Sequence, residues 1–212
     1  MDILETLKKQ WQTREVELPK LSYSDIYQML LKKSSSIVKW VLLISIAELL
    51  FWISLIFLTP DSNKQLMADM GIGKIVNYSN YIHFTIVGVF IYLFYKNYKN
   101  IQVTDSTKTL MNNILKTRKT VRYFVYYNIG MFILSSILVD AYFYSKSEKL
   151  YEVMNFASKG IPQDGFATYF IIIQVLVGII VAGLLILFYW LIYGLLLKRL
   201  KKNYKELEKI DL

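Results

Sequence analysis

Four polar side chains lie inside otherwise apolar segments of this sequence, and they are the places where chemistry could occur: Glu48, His83, Asp140 and Gln174. A carboxylate and an imidazole are the residue types that proton relays and acid–base catalysis use. Glu48 is the most unusual, because fifteen of the eighteen residues in 41–58 are apolar. An ionised carboxylate there costs at least ~2.5 kcal/mol in a bilayer, so we expect Glu48 to face protein and to be protonated or paired.

The depths of these groups along the predicted helices suggest a line of polar side chains. At 1.5 Å per residue, Glu48 lies roughly 15 Å below the outer end of its helix, His83 roughly 10 Å and Asp140 roughly 6 Å. Gln174 lies at a similar depth. Such a line, open to the outside, would suit a proton-linked relay or a substrate pocket. The alternative is structural, because a neutral Glu48 hydrogen-bonded to a serine, Gln174 or His83 would hold helices together.

The rest of the composition argues against several classes of enzyme. The chain has no cysteine and one histidine, which excludes thiolate metal sites, Cys nucleophiles, histidine-box di-iron centres and His-rich haem or zinc sites. Gly71 and Gly73 have G-x-G spacing, but no strand is predicted before them, so we interpret them as a turn. No nucleophile elbow, Walker motif or kinase motif occurs. We therefore predict a non-enzymatic protein without catalytic residues, cofactor or metal.

The elements that carry these groups are predicted to be membrane spans. Hydrophobic residues make up 55% of the chain, and the mean hydropathy of +0.36 is high for a soluble domain. The sequence predicts an all-α, polytopic four-helix transmembrane bundle over 37–199, with a close helix contact where small residues recur in the fourth span. The spans are 37–58, 76–96, 121–144 and 166–197, and the small residues are Gly178, Ala182 and Gly183.

Helical extensions are predicted beyond the spans. A helix from 105 to 144 would be roughly 60 Å long, about twice the thickness of the hydrocarbon core, so it must project from the membrane. We expect amphipathic helices over 1–36, a hairpin over 97–120 and a helical tail over 200–212. Their apolar stripes are candidate docking surfaces for a partner, through Leu7, Trp11, Ile114, Leu200 and Leu207.

Local signals predict where several of these helices begin. Ser22 or Ser24 suits the N-cap of the helix that enters the first span. Thr104 and Asp105 suit the N-cap of the third long helix. Ser145, with Glu148 three residues later, has the spacing of a capping box and predicts a short helix on the outer face.

The distribution of charge predicts the orientation. Twenty of the 25 Lys and Arg residues lie before the first span, between the second and third spans, or after the fourth. By the positive-inside rule, both termini and the middle loop are cytoplasmic, in a bacterial inner membrane. The net charge of +9 is explained by this asymmetry and by contact with the lipid bilayer, so nucleic acid is not a predicted partner.

The chain resembles small, uncharacterised four-span inner-membrane proteins of Gram-negative bacteria. The resemblance rests on K-L-S-Y-S-D-I-Y-Q-M-L-L-K-K-S-S-S-I-V-K-W at residues 20–40 and on the four-span layout. It implies a polytopic membrane protein and brings no activity with it. The chain is also similar to small multidrug transporters in having a glutamate in its first membrane helix. Those transporters are shorter and lack large cytoplasmic extensions.

Two functions follow as expectations. The first is a membrane anchor whose basic helical platform binds a protein on the cytoplasmic face, as an accessory or regulatory subunit. A sigma factor held at the membrane is one example of such a partner. The alternative is a small proton-coupled transporter that uses Glu48 and assembles as a homo-oligomer.

Overall fold

The protein is all-helical, as the sequence predicts. The computed structural model describes Glu5 and residues 22–104 and 106–210, with the backbone alone at Ile210. No strand occurs in these ranges. The elements are α1 (Tyr23–Phe57), α2 (Asp61–Met70), α3 (Gly73–Gln102), α4 (Thr107–Ser145), α5 (Ser147–Val153), a 3-10 turn (Ala157–Lys159), α6 (Phe166–Tyr189), a π-helical turn (Trp190–Gly194) and α7 (Leu195–Ile210).

A capping box starts α1. Asp25 N–H donates to the Ser22 hydroxyl oxygen at 3.2 Å, and Ser22 N–H donates back to the Asp25 carboxylate at 3.0 Å. The Ser22 hydroxyl also donates to Asp25 at 2.7 Å. Hydrogen bonds from the Ser22 side chain and backbone hold the pKa of Asp25 below its usual value. From this cap α1 continues as one helix through three serines at 34–36 and ends before Pro60.

The long helices form an up-down-up-down bundle. In it α1 packs against α3 and α7, and α4 packs against α3, α6 and α7. The N-terminal parts of α1 and α4 meet the C-terminal part of α3 and the helix α7 in one core, so sequential long helices are antiparallel. At one end, α2 and α5 pack against each other and against the long helices as a small cap. A hydrogen bond from the Tyr142 hydroxyl to the Met70 carbonyl, at 2.7 Å, joins α4 to this cap.

The end of the bundle opposite this cap has its own apolar core. Seven buried residues from α1, α3, α4 and α7 meet there. Amphipathic stripes bury their apolar sides against one another when helices associate, which explains this core. The residues are Leu30, Val38, Ile101, Leu110, Ile114, Leu200 and Leu207.

This core corrects the predicted docking surface. Ile114, Leu200 and Leu207 have no exposed surface, because each faces another helix of the same chain. They are therefore unavailable to a partner in this fold. Leu7 and Trp11, the other predicted docking residues, lie outside the described residues.

Several helix starts also differ from the sequence signals. Ser106 is the N-cap of α4, and its hydroxyl accepts a hydrogen bond from Thr109 N–H at 3.3 Å. The proposed Ser145–Glu148 capping box does not form, because α4 continues to Ser145 and its hydroxyl donates back to the Tyr142 carbonyl. Between the first two predicted spans, where only a turn at Gly71 and Gly73 was predicted, the chain forms α2, which ends at Gly71 in the left-handed conformation, φ +87°.

Three helices are long and apolar enough to cross a membrane: Tyr23–Phe57, Thr107–Ser145 and Phe166–Lys209. None of the most apolar 18-residue window in Phe166–Lys209 is buried inside the protein. Such a large exposed apolar surface is typical of contact with lipid. Among the described residues, α3 does not meet the same criterion of length and hydropathy.

The small residues of α6 do not form the predicted helix contact. A Cβ added at Gly178 or Gly183 would meet no atom within 4 Å, and Ala182 is half-buried. Gly178 is also half-buried and Gly183 is exposed, so open space lies beside both glycines. Close approach of another helix of this chain does not explain their size.

Candidate functional site

Glu48 is the centre of a buried hydrogen-bonded cluster in the middle of the bundle. Its side chain is 9% exposed. The Tyr193 hydroxyl donates to Oε2 at 3.0 Å, and the Tyr189 hydroxyl donates to Oε1. The Trp52 side chain, one turn further along α1, is also close enough to interact with the carboxyl group. Both oxygens of Glu48 are thus satisfied by protein.

The local structure of the last long helix positions the two tyrosines. Residues four apart lie on one face of a helix, so Tyr189 and Tyr193 both point towards α1. The α-helix changes to a π-helical turn at Trp190–Gly194. Single π turns inside helices are uncommon and occur frequently at functional sites. Here the turn holds Tyr193, which is 1% exposed, against Glu48.

The surroundings of this cluster are apolar. Buried side chains from α1, α3 and α4 pack around the two tyrosines. The Phe124 ring lies 5.7 Å from the Tyr193 ring and 6.4 Å from the Tyr189 ring, centre to centre. Because these surroundings are apolar, the hydrogen bonds to Glu48 are stronger than they would be at a surface, and an unpaired group would be costly.

His83 has a different partner from the one that the sequence suggested. Its Nδ1 lies 3.2 Å from the Tyr127 hydroxyl, and the two rings stack with centres 5.6 Å apart. His83 and Glu48 nevertheless line the same small void, together with Trp52 and Asn128. Its volume of about 10 Å³ is near the lower limit for a single water molecule. The histidine and the carboxyl group are therefore neighbours without a direct bond.

A larger cavity adjoins this void, and Trp52, His83 and Asn128 line both. Its volume is about 310 Å³, and it is open on one side. Mixed apolar and polar linings of this size are typical of sites for small ligands. The polar side chains around it are Thr59, Ser79, Asn80, His83, Asn128, Ser135 and Tyr189.

Asp140 and Gln174 do not join this site. Both are half-buried, on α4 and α6 respectively. Neither lines the void at Glu48 or the larger cavity. No side-chain hydrogen bond connects either of them to Glu48 or His83 within the described residues. The continuous line of four polar groups is thus reduced to two neighbours, Glu48 and His83.

The tyrosine partners of Glu48 were not anticipated. A signal was present, because Tyr189 and Tyr193 have helical spacing in a segment that carries no charge. Tyrosines near the end of a span are usually assigned to the interfacial aromatic belt, which concealed this role.

The chemistry available to this cluster is limited. The described residues hold no group of three or more His, Asp or Glu that could bind a metal. A carboxyl group held by two phenols is suited to joining helices. An imidazole beside an open cavity is suited to contacting a small ligand.

Fold and site together define an all-helical protein with three helices apolar enough to cross a membrane and a buried glutamate–tyrosine cluster between its first and last long helices. The chain belongs to the family described as domain of unknown function (DUF8845), which matches residues 24–212. No curated protein and no solved structure matches it. The family membership is consistent with the resemblance to uncharacterised membrane proteins.

Proposed function

We propose that the chain crosses the inner membrane four times, with α3 as the second span and both termini in the cytoplasm. Support for α3 comes from its packing between α1 and α4, where Val87 and Phe94 are buried at the same level as the Glu48 cluster. A helix packed against two candidate spans at this level would run alongside them through the membrane. The asymmetry of Lys and Arg supports the orientation.

Within this topology, the proposed function is a non-enzymatic anchor that presents a rigid helical bundle to a cytoplasmic protein. The observation that carries this proposal is the separate core formed by all the extensions, with Ile101, Ile114 and Leu200 wholly buried. A packed core makes the extensions one preformed surface, and preformed surfaces lose less entropy on binding. A regulator such as a sigma factor is one partner class of this kind.

The partner surface is assigned to the outer face of α4. Leu115 is 42% exposed there, and Lys108, Asn112 and Lys119 lie on the same face at helical spacing, all exposed. Leu115, with lysines on either side of it along the helix, suits a partner that has an apolar pocket with acidic residues at its edge. This surface replaces the one predicted around Ile114.

Affinity capture of the full chain from native membranes tests this function. We expect a soluble acidic protein at near-stoichiometric amount, and at least tenfold less of it with the K108E/K119E variant. The control K74E/K149E makes the same charge change at exposed lysines at the opposite end of the bundle. Absence of a stoichiometric partner, or equal capture by both variants, would reject the proposal.

A second candidate is the small proton-coupled transporter. The cavity of about 310 Å³ beside His83, one void away from Glu48, favours it. The hydrogen bonds from two tyrosines to Glu48 argue against it. A proton carrier must exchange protons with water on each side of the membrane in turn. Ligand binding that depends on pH and is lost in Glu48→Gln and His83→Gln, without a captured protein, would favour the transporter.

A further inference from the structure

Cations from two helices converge on one groove at the end of the bundle that carries most of the positive charge. The groove lies between α1 and α7 and has a volume of about 590 Å³, within the usual range for ligand sites. Each helix contributes two cations. The lining residues are Met29, Lys32, Lys33, Ser36, Ile37, Arg199, Lys202 and Asn203.

The positive charge of this groove is largely unbalanced. No Asp or Glu is among the lining side chains. Lys202 Nζ lies 3.9 Å from Glu206 in an exposed pair on α7, and such pairs contribute little. Lys32, Lys33 and Arg199 form no ion pair within the described residues. Folding has therefore brought like charges together, and an anion in the groove would neutralise them.

A buried hydrogen bond fixes the floor of the groove. Asn203 Nδ2 donates to the Ser34 hydroxyl at 3.0 Å, and both side chains are buried. This bond connects α7 to α1 through Asn203, which lines the groove beside the cations. The separation of the two helices is thereby set before any ligand binds, which lowers the entropic cost of binding.

The position of the groove identifies the ligand. It begins at the predicted inner start of the first span, residue 37, and extends along α1 to Met29, roughly 12 Å at 1.5 Å per residue. That distance covers the headgroup layer of a bilayer. Trp40, 57% exposed, lies one turn beyond Ser36 on the same face of α1, where an interfacial aromatic residue would contact lipid.

We propose that this groove binds the phosphate headgroup of an anionic phospholipid. Arg199 would contact the phosphate oxygens through its planar guanidinium group, while the lysines supply point charges. The apolar side chains of Met29 and Ile37 would contact the glycerol and upper acyl region. Basic pockets between helices at the cytoplasmic side of a membrane are typical sites for such headgroups. The inference rests on the proposed membrane topology and is independent of the protein partner on α4.

The test measures lipid preference of the full chain reconstituted in phosphatidylcholine bilayers. Trace spin-labelled phosphatidylglycerol and phosphatidylcholine give the relative association constant. For the parent we expect the association constant of phosphatidylglycerol to be about fivefold or more above that of phosphatidylcholine. A fivefold ratio corresponds to ~1 kcal/mol, the contribution of a single cation near an anionic surface. The variant K32Q/K33Q/R199Q/K202Q should lose this preference. The control K96Q/K99Q/K198Q/K205Q removes four exposed lysines that do not line the groove and should keep most of it.

Three outcomes would overturn the proposal. Equal loss in both variants would mean that only the general positive field attracts lipid. Displacement of phosphatidylglycerol by millimolar inorganic phosphate would make the groove a site for free anions. Retained lipid preference in the groove variant, combined with loss of a captured protein, would assign the groove to that protein. Failure of the α4 variants alone would affect the proposed function and leave the lipid site unchanged.

Discussion

The hydroxyl group of Tyr193 donates a hydrogen bond to the carboxyl group of Glu48 at 3.0 Å, although the two residues are 145 positions apart. This bond joins the first long helix to the π-helical turn of the last one. Together with the bond from Tyr189, it closes the ring of helices in their apolar middle. The first predictions concern this contact.

Two replacements of Glu48 should distinguish a structural role of its side chain from a role in carrying protons. Glu48→Gln keeps the size and an acceptor oxygen, so we expect it to fold and function like the parent. Glu48→Leu leaves both tyrosine hydroxyls without an acceptor and should lower the free energy of unfolding by about 1–2 kcal/mol. Thermal unfolding in detergent measures both. A Gln variant that folds normally but fails to complement a deletion would refute the structural role of Glu48.

A double-mutant cycle should measure the interaction free energy between Glu48 and Tyr193. Tyr193→Phe removes one donor and keeps the ring, so a loss of about 0.5–1.5 kcal/mol is expected. In the Glu48→Leu background the same change should cost less, because the donor has already lost its acceptor. Tyr204→Phe, at a half-buried tyrosine of α7 that packs against the other core, is the control and should show no coupling to Glu48.

The sequence predicted the long helices and singled out Glu48, but it predicted neither α2 nor the residues that contact Glu48. Hydropathy and charge were sufficient for an all-helical chain, because they depend on local composition. The partners of Glu48 come from 141 and 145 residues away, and no local pattern encodes that distance. The apolar helix faces through Ile114, Leu200 and Leu207 had to be buried against another apolar surface. The sequence alone does not show whether that surface belongs to the same chain or to another protein. Gly178 likewise had the spacing of a close helix contact, yet a Cβ added there would meet no atom within 4 Å.

The core of the extensions should be as sensitive to truncation as the core of a soluble domain. Ile114→Ala removes a wholly buried side chain and should cost about 2–5 kcal/mol. Leu115→Ala, at the neighbouring exposed residue, should change stability by less than ~0.5 kcal/mol while weakening partner capture. Unfolding midpoints in urea compare the two variants. Equal effects on stability would mean that Ile114 is not in a packed core.

The capping box at the start of α1 should make the first turn sensitive to pH. The folded pKa of Asp25 lies below its usual value, so its contribution is complete above the unfolded value of about 3.9 and is lost as the pH falls through the folded pKa. Amide exchange of the first turn, compared between the parent and Asp25→Asn, measures this contribution. The difference should be constant above about pH 5 and should disappear at lower pH. A difference that grows on acidification would contradict the assignment.

Labelling of single cysteines tests the central claim, which is a four-span chain with its packed extensions in the cytoplasm. The chain has no cysteine of its own, and Ser62, Ser158, Ser106 and Asn112 are all exposed. With an impermeant maleimide on intact spheroplasts, cysteines at Ser62 and Ser158 should be labelled, and those at Ser106 and Asn112 should react only after lysis. Labelling of Ser106 or Asn112 in intact cells, with protection of Ser62, would contradict the topology and the cytoplasmic platform with it.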